Sequence, residues 1–275
     1  MSGAIGLAGM AALRSGAGLV TLAVPDVCLE TVAAFEPSYM TAPLACDRDG
    51  RIGSVAEADV LRLAAGADCV ACGPGLSRAP HLTDLIAKLY ETLSQPLVLD
   101  ADGLNALAAL GEACPPAASP RILTPHPGEF RRLNGNLDSR VPWEDACRQA
   151  VALAARRGWV LVLKGHRSLI TDGQRVTYNT TGNPGMATGG TGDVLTGVIT
   201  ALVCQGLTPF DAAHLGVYLH GMAGDLAAEQ LGQVSLTARD LIDFLPQAFQ
   251  CHDKRQRRVA GFAPEPGLRT AISES

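Results

Sequence analysis

The sequence predicts an α/β domain built on a mostly parallel central sheet with helices on both faces. Short runs of consecutive apolar residues, such as Val160–Leu163, are typical of strands buried on both faces of a parallel sheet. Stretches with apolar residues at helical spacing separate these runs, as at Pro142–Arg157. Glycine-rich or polar segments follow four of the strands, and open sheets of this class bind ligands at the carboxyl edge of their strands.

The first half of the chain begins with an Ala-rich helix at Ile5–Leu13, which ends at Ser15-Gly16, and an apolar strand follows at Leu19–Val24. Apolar residues at helical spacing then predict helices at Val27–Ala34, Val55–Ala64, Leu82–Leu93 and Leu104–Leu110. Short apolar runs bounded by Gly, Pro or Asp predict strands at Cys69–Cys72, Leu97–Asp100 and Ile122–Thr124.

The second half continues with the helix Pro142–Arg157 and the strand Val160–Leu163. The Asp172-Gly173 pair between Ser168–Thr171 and Arg175–Asn179 is a β-hairpin signal. Three helices close the domain, at Val194–Gln205, Phe210–Gln230 and Ala238–Gln250. The last two have starts that resemble capping boxes, Thr208 with Asp211 and Thr237 with Asp240. From Cys251 the pattern fades, so we predict a single domain over 1–250 and a flexible tail over 251–275.

The composition is that of a globular protein. Of 275 residues, 47% are hydrophobic and 18% are charged, and the net charge of −5 argues against general nucleic-acid binding. The eight cysteines form no convincing metal pattern, because the C-x-x-C pair Cys69 and Cys72 lies in a predicted buried strand. The apolar N-terminus lacks a preceding basic segment and is interrupted by Arg14, so we predict no export signal. We expect a soluble cytoplasmic protein with no membrane or nucleic-acid partner.

The stretch N-P-G-M-A-T-G-G-T-G-D-V-L-T-G at 183–197 is the most informative part of the chain. Gly189, Gly190 and Gly192 leave no side chain between backbone and ligand, and the helix that follows begins with unpaired N–H groups. This combination predicts an anion hole suited to phosphate. Asp193 at the helix start would stand beside the anion, where it could take a proton from an attacking hydroxyl. An Asp in this position is also a common helix cap, so both interpretations stay open.

Polar side chains at other strand ends are further candidates for a ligand site. Lys164 follows the strand V-L-V-L and could reach a phosphate, or it could extend into solvent. His126 lies between two prolines, with Glu129 in the next turn, and a ligand-facing role and a structural role are both compatible with that context.

Asp100, Asp102 and Asn105 offer oxygen ligands of the kind that Mg²⁺ prefers, although Asp102 could equally cap a helix. His220 and Asp225 lie on a helix expected to pack near the Gly loop, and their spacing assigns them no role.

Together the motifs resemble the ADP/ATP-dependent NAD(P)H-hydrate dehydratases, which are repair enzymes with a ribokinase-like fold. The resemblance runs from Gly3 to Gln250 and implies a three-layer sandwich. The motifs are L-D-A-D-G-L-N (99–105), L-T-P-H-P-G-E-F (123–130), L-K-G-x-x-S-x-I (163–170), the stretch 183–197, A-A-L-R-S-G-A-G-L-V-T (11–21) and G-P-G-L (73–76). The chain departs from the family at Ser77, where a glycine is usual, and family members usually carry further residues upstream of Ala4.

The resemblance implies a reaction: the S-form of NADH-hydrate or NADPH-hydrate is dehydrated at the expense of a nucleoside phosphate. We expect ADP in preference to ATP, with AMP and phosphate as products, Mg²⁺ as cofactor, and a homotetramer. Asp193 would be the catalytic base, and Asp100 and Glu129 could meet the metal through water. The residues implied to contact the nucleotide are Lys164, Gly165, His166, Arg167, Ser168 and Gly192. Those implied to contact the hydrate are Ala4, Gly75, His126 and Asp193.

Two other hypotheses use the same anion hole. A small-molecule kinase of the ribokinase-like superfamily would leave the phosphate on its acceptor, whereas a dehydratase frees it. A non-catalytic nucleotide-binding protein would bind ADP without turnover. The H-P-G-E segment favours the dehydratase.

Overall fold

Eight strands form two sheets within the residues that the structure describes. The structure is a computed structural model that describes residues 1–135 and 141–259, with the backbone alone for 257–259. A small parallel sheet contains β1 (Thr21–Pro25) and β2 (Met40–Leu44). The central sheet contains, side by side in chain order, β3 (Val70–Cys72), β4 (Leu97–Leu99), β5 (Arg121–Leu123), β6 (Trp159–Leu163), β7 (Leu169–Thr171) and β8 (Val176–Tyr178).

The central sheet is mostly parallel, as predicted. Strands β3 to β6 pair in parallel, and β7 and β8 add an antiparallel hairpin at one edge. The helices that connect and flank the strands are α1 (Ser2–Arg14), α2 (Leu29–Ala33), α3 (Glu57–Ala65), α4 (Pro80–Thr92), α5 (Ala101–Leu110), α6 (Pro127–Leu133), α7 (Trp143–Arg157), α8 (Thr191–Cys204), α9 (Pro209–Leu231) and α10 (Ala238–Val259).

Two hydrophobic cores lie on opposite faces of the sheet, because successive side chains of a strand point to opposite sides. In β4, Val98 packs into one core with residues of α1, α8, α9 and α10. Leu97 and Leu99 pack into the other, with residues of α4, α5, α6 and α7. The sheet is therefore covered by helices on both faces, which confirms the predicted architecture.

Three elements differ from the prediction. Strand β2 was missed because Met40–Leu44 contains Pro43 and is only partly buried, so it lacks the apolar run of a central strand. The short helix α6 follows His126 directly and was not predicted as an element. The expected loss of structure at Cys251 is wrong, since α10 continues to Val259; the rest of the predicted tail lies outside the described residues.

The carboxyl ends of β3 to β6 meet at one edge of the sheet and carry the predicted polar segments. Backbone hydrogen bonds join neighbouring segments: Asp100 N–H donates to Cys72 O over 3.2 Å, and Lys164 N–H donates to Pro125 O over 2.8 Å. At Gly73, with φ of 124°, an added Cβ would lie 1.8 Å from Asp100 O, so only glycine fits this approach. None of the described helices combines the length and the apolar character that a bilayer span requires.

Candidate active site

The Gly loop ends at the start of α8, where Gly190 occupies the N-cap position with φ of 90°. The first backbone bond of the helix runs from Val194 N–H to Gly190 O over 3.1 Å, so the N–H groups of the three preceding residues have no partner within the helix. Gly189 has open space around it, since an added Cβ would meet nothing within 4 Å. At Gly192 an added Cβ would lie 3.2 Å from Lys164 Nζ, so this glycine brings the helix N-terminus against a cation.

Two residues of α9, to which the sequence analysis assigned no role, form hydrogen bonds with the Gly loop and its flanks. Asp225 accepts hydrogen bonds from Gly182 N–H over 2.8 Å and from Asn183 Nδ2 over 3.0 Å. His220 Nε2 lies 2.9 Å from Thr191 O, in the first turn of α8. Burial lowers the pKa of His220 to about 4, so the ring is neutral and donates its Nε2–H to that carbonyl.

A buried ion pair lies beneath the loop. Lys164 Nζ lies 2.8 Å from Asp100 Oδ1, and the Asp100 side chain is only 2% exposed. Thr196 of α8 donates its hydroxyl to Asp100 Oδ2 over 3.1 Å. Asp100 therefore joins the end of β4, the end of β6 and the helix α8. Lys164 also lies 3.9 Å from Glu129 Oε2, so the lysine sits between two carboxylates.

His126 and Glu129 form a reciprocal cap at the start of α6. His126 Nδ1 accepts from the N–H groups of Gly128 and Glu129, and Glu129 Oε2 accepts from His126 N–H over 2.9 Å. Because Nδ1 is an acceptor, the neutral ring carries its proton on Nε2, and half of the side chain is exposed. Burial, followed by the charge of Lys164, lowers the pKa of His126 and favours this neutral form. The structure shows the capping role, and Nε2 lies 3.5 Å from Glu129 Oε1; the ligand-facing role of His126 stays a prediction.

Asp193 stands in the first turn of α8, where the sequence predicted a base. Burial raises the pKa of this carboxyl to about 6; the nearby Asp100 carboxylate adds to the rise, and the charge of Lys164 opposes it. The N-cap position of this helix is occupied by Gly190, and Asp193 is the third helical residue, so Asp193 is not the N-cap residue. A carboxylate with this pKa is close to the range in which general bases work best at neutral pH.

The predicted nucleotide-contacting segment is the turn between β6 and β7. Ser168 Oγ accepts from Gly165 N–H over 3.2 Å and donates to Gly165 O over 3.1 Å, which closes the turn. His166 and Arg167 are exposed, and the Arg167 guanidinium lies 5.9 Å from the centre of the Tyr178 ring. The turn therefore presents backbone and two long side chains to solvent, next to Lys164.

Two further residues predicted to contact the hydrate lie on α1 or next to its start. Ala4 is buried on α1, and Gly75 has φ of 70° in the loop after β3. The Met1 amino group donates to Gly75 O over 2.8 Å.

The predicted oxygen ligands Asp102 and Asn105 bond to each other and to the loop after β3. Asp102 accepts from Ser77 N–H over 2.9 Å and from Asn105 Nδ2 over 3.2 Å. They are therefore not brought to Asp100, and the three do not form one cation site.

The donor set fits a Mg²⁺ ion held mainly by nucleotide phosphates. Within the described part of the chain, no group of three or more His, Cys, Asp or Glu side chains is arranged to hold a metal. Asp100 already accepts from Lys164 and Thr196, and Glu129 accepts from the His126 backbone. Mg²⁺ commonly keeps several waters and binds through one or two carboxylates plus phosphates. Asp100 and Glu129 can supply such outer contacts through water.

The family model of NAD(P)H-hydrate dehydratase matches residues 1–247, most of the chain. The chain belongs to this family. It is 48% identical over 250 residues to the bifunctional NAD(P)H-hydrate repair enzyme Nnr of Moorella thermoacetica, covering 90% of this chain and 46% of that protein. The chain thus spans about half the length of the curated relatives it matches.

Solved structures support the same assignment. The ADP/ATP-dependent NAD(P)H-hydrate dehydratase of Bacillus subtilis, co-crystallised with ATP and Mg²⁺ and soaked with CoA, is 32% identical with a TM-score of 0.74, covering 91% of this chain and 87% of that one. A ribokinase-like superfamily protein of Enterococcus faecalis is 26% identical with a TM-score of 0.75, covering 91% and 83%. The ribokinase-like fold implied by the sequence motifs is confirmed.

Proposed function

We propose that this domain restores NADH or NADPH from the S-form of their hydrates and uses ADP, less readily ATP, as phosphate donor. The observation that carries the proposal is Asp193, a carboxyl with a pKa raised to about 6 at a helix start whose N–H groups form an anion hole. A fixed anion hole beside a base suits a reaction that transfers a phosphoryl group to a hydroxyl. Family membership selects the hydrate hydroxyl as the acceptor.

The first step is phosphorylation of the hydrate. Asp193 takes the proton of the hydroxyl on the hydrated ring, and the hydroxyl oxygen forms a bond to the terminal phosphorus of the nucleotide. The phosphoanhydride bond breaks, and AMP leaves when ADP is the donor. The unpaired backbone N–H groups in the first turn of α8 and the Lys164 ammonium stabilise charge on the phosphoryl oxygens.

The second step frees the phosphate. The ring nitrogen donates its electron pair, the carbon–oxygen bond to the phosphate breaks, and the adjacent ring carbon loses a proton. The ring double bond forms again, and inorganic phosphate departs. In this proposal the half-exposed His126 turns its Nε2–H, which lies 3.5 Å from Glu129 Oε1, toward the substrate and donates a hydrogen bond to it.

The nucleotide is proposed to lie over Lys164 and the Gly165–Ser168 turn, and the hydrate against Ala4, Gly75 and His126. Mg²⁺, with which the Bacillus subtilis dehydratase was co-crystallised together with ATP, would neutralise phosphate charge when bound. A homotetramer in the cytoplasm completes the proposal.

The test follows absorbance at 340 nm as purified protein meets NADH-hydrate, Mg²⁺ and either ADP or ATP. A nucleotide-dependent rise with release of one phosphate per NADH formed is expected, faster with ADP. Phosphate that stays bound to an organic acceptor would instead identify a kinase. Tight ADP binding with a flat trace, unchanged in Asp193→Asn, would identify a non-catalytic binding protein.

A further inference from the structure

A cavity of about 570 Å³ lies beside the proposed hydrate site and has no role in the chemistry described above. Its size falls in the range of small-molecule and cofactor sites, about 300–1,000 Å³. Arg78, Arg132 and Asn105 lie on its rim, and the small side chains Ala106 and Ala109 of α5 form part of its wall. The cavity thus combines a shallow apolar wall with two guanidinium groups.

Three of the segments that line the cavity also carry residues of the candidate active site. Ser77 and Arg78 follow Gly75 in the loop after β3, and Asn105 lies on α5, which begins next to Asp100. Arg132 lies on α6, six residues from His126, which is about 9 Å along a helix axis. Arg132, at the cavity, is therefore nearer to His126 along α6 than the length of an extended dinucleotide.

The two arginines are held in position through their Nε atoms. Arg78 Nε donates to Asp102 Oδ1 over 3.2 Å, and Arg132 Nε donates to Asn105 Oδ1 over 2.8 Å. Asn105 in turn donates to Asp102, so one hydrogen-bonded chain connects both guanidinium groups. A guanidinium has five N–H donors in a fixed fork, and those on the terminal nitrogens suit two phosphate oxygens. Among the described residues, the terminal nitrogens of these two arginines have no hydrogen-bond partner.

We propose that this cavity binds the adenosine half of the hydrated dinucleotide, with its phosphate groups against Arg78 and Arg132 and its base against the alanine wall of α5. The assignment rests on the proposed function, because it places the nicotinamide half at Asp193 and His126. Two riboses and a pyrophosphate separate the two rings of a dinucleotide, so the second ring must lie outside the catalytic centre. The cavity meets the chemistry of that half, which is a flat base joined to anions.

The test compares two substrates: NADH-hydrate and the hydrate of reduced nicotinamide mononucleotide, which lacks the adenosine half. Loss of a charge-assisted hydrogen bond to phosphate costs roughly a tenfold to hundredfold in affinity. We expect Arg78→Ala and Arg132→Ala each to raise the KM for NADH-hydrate by about that factor with kcat unchanged, and to leave the KM for the mononucleotide hydrate within about twofold. Ala109→Trp, a ring added at an exposed wall position, should have the same selective effect.

Arg62→Ala is the matched control, because Arg62 is as exposed as Arg78, 68% against 67%, and is also bonded to an aspartate. It should change neither KM. Suppose that the wild type turns over both hydrates and that all three cavity variants keep its KM for NADH-hydrate. The subsite is then refuted, while the proposed function stands. If the wild type turns over neither hydrate, the proposed function fails and this inference fails with it.

Discussion

Replacing Asp193 with asparagine should stabilise the protein while it removes activity. The folded state holds the pKa of this carboxyl at about 6, against an ordinary 3.8, so ionising Asp193 costs more in the folded than in the unfolded chain. That difference corresponds to about 3 kcal/mol of stability lost above pH 6. Because Asp193 is partly exposed, solvent screening reduces the expected gain in Asp193→Asn to about 1–2 kcal/mol.

The sign of the effect fixes its pH dependence. A carboxyl with a raised pKa destabilises the fold above its folded pKa, and the penalty fades as the pH falls toward the unfolded value. The gain in Asp193→Asn should therefore be largest near pH 8 and smaller at pH 5. Urea denaturation of both proteins at the two pH values measures it. Turnover should fall roughly a hundredfold to ten-thousandfold, with ADP binding largely retained.

A matched control separates burial from helix capping. Asp59 is the third residue of α3, as Asp193 is of α8, but it is 55% exposed and paired with Arg62. Asp59→Asn should change stability by less than about 0.5 kcal/mol. A variant Asp193→Asn that is less stable than wild type at pH 8, or equally stabilised at pH 5 and pH 8, would contradict the argument from burial and like charge. Equal loss of turnover and ADP binding would contradict the role of Asp193 as base.

Three further predictions test the surroundings of the site. Lys164→Met leaves the Asp100 charge buried without its partner and should lower the free energy of unfolding by about 3–5 kcal/mol. The double variant that adds Asp100→Asn should recover much of this loss. A double variant no more stable than the single one would refute the argument. Gly197→Ala should cost about 1–3 kcal/mol in urea unfolding, because the new Cβ would lie 2.1 Å from a carbonyl of α1, whereas Gly3→Ala, with nothing within 4 Å, should cost nothing. Burial lowers the pKa of His220 from 6.5 to about 4, so the folded protein loses stability as the pH falls between these values. In His220→Gln, the drop in unfolding free energy from pH 8 to pH 5 should be smaller than in the wild type by about 1–2 kcal/mol. An equal drop in both proteins would contradict the neutral ring.

The parallel sheet could be predicted because strands buried on both faces leave an unambiguous apolar run. Trp159–Leu163 is buried at every position, and the sequence located it to within one residue. Strand β2 could not be found in this way, since it pairs only with β1 and contains a proline. Its position is set by tertiary pairing, which a local pattern does not record.

The residues of the candidate site also fall into those that local sequence indicates and those that only tertiary packing places. Asp193, Lys164 and His126 stand next to strand ends or a Gly loop, and local context was enough to make them candidates. His220 and Asp225 act on the loop from a helix that begins nearly 20 residues later, and only the packing of α9 reveals their contacts. Asp102 appeared equivalent to Asp100 in sequence, but the helix start between them turns the two carboxylates to different partners.

The contact between α1 and α8 bears on how the proposed reaction would bring its groups together. Along both helices the contacts run in the same order, from Leu7 against Gly190, through Ala8 against Gly197, to Gln205 donating to Ser15 O over 2.7 Å. The approach depends on glycine, since an added Cβ would lie 2.6 Å from Leu7 Cδ1 at Gly190 and 2.1 Å from Ala8 O at Gly197. The helix that carries Ala4 and the helix that carries Asp193 are thus packed closely together once the chain has folded. Under the proposed function, in which Ala4 contacts the hydrate and Asp193 is the base, the entropy of bringing these two residues together is lost once, during folding, and not in each catalytic cycle.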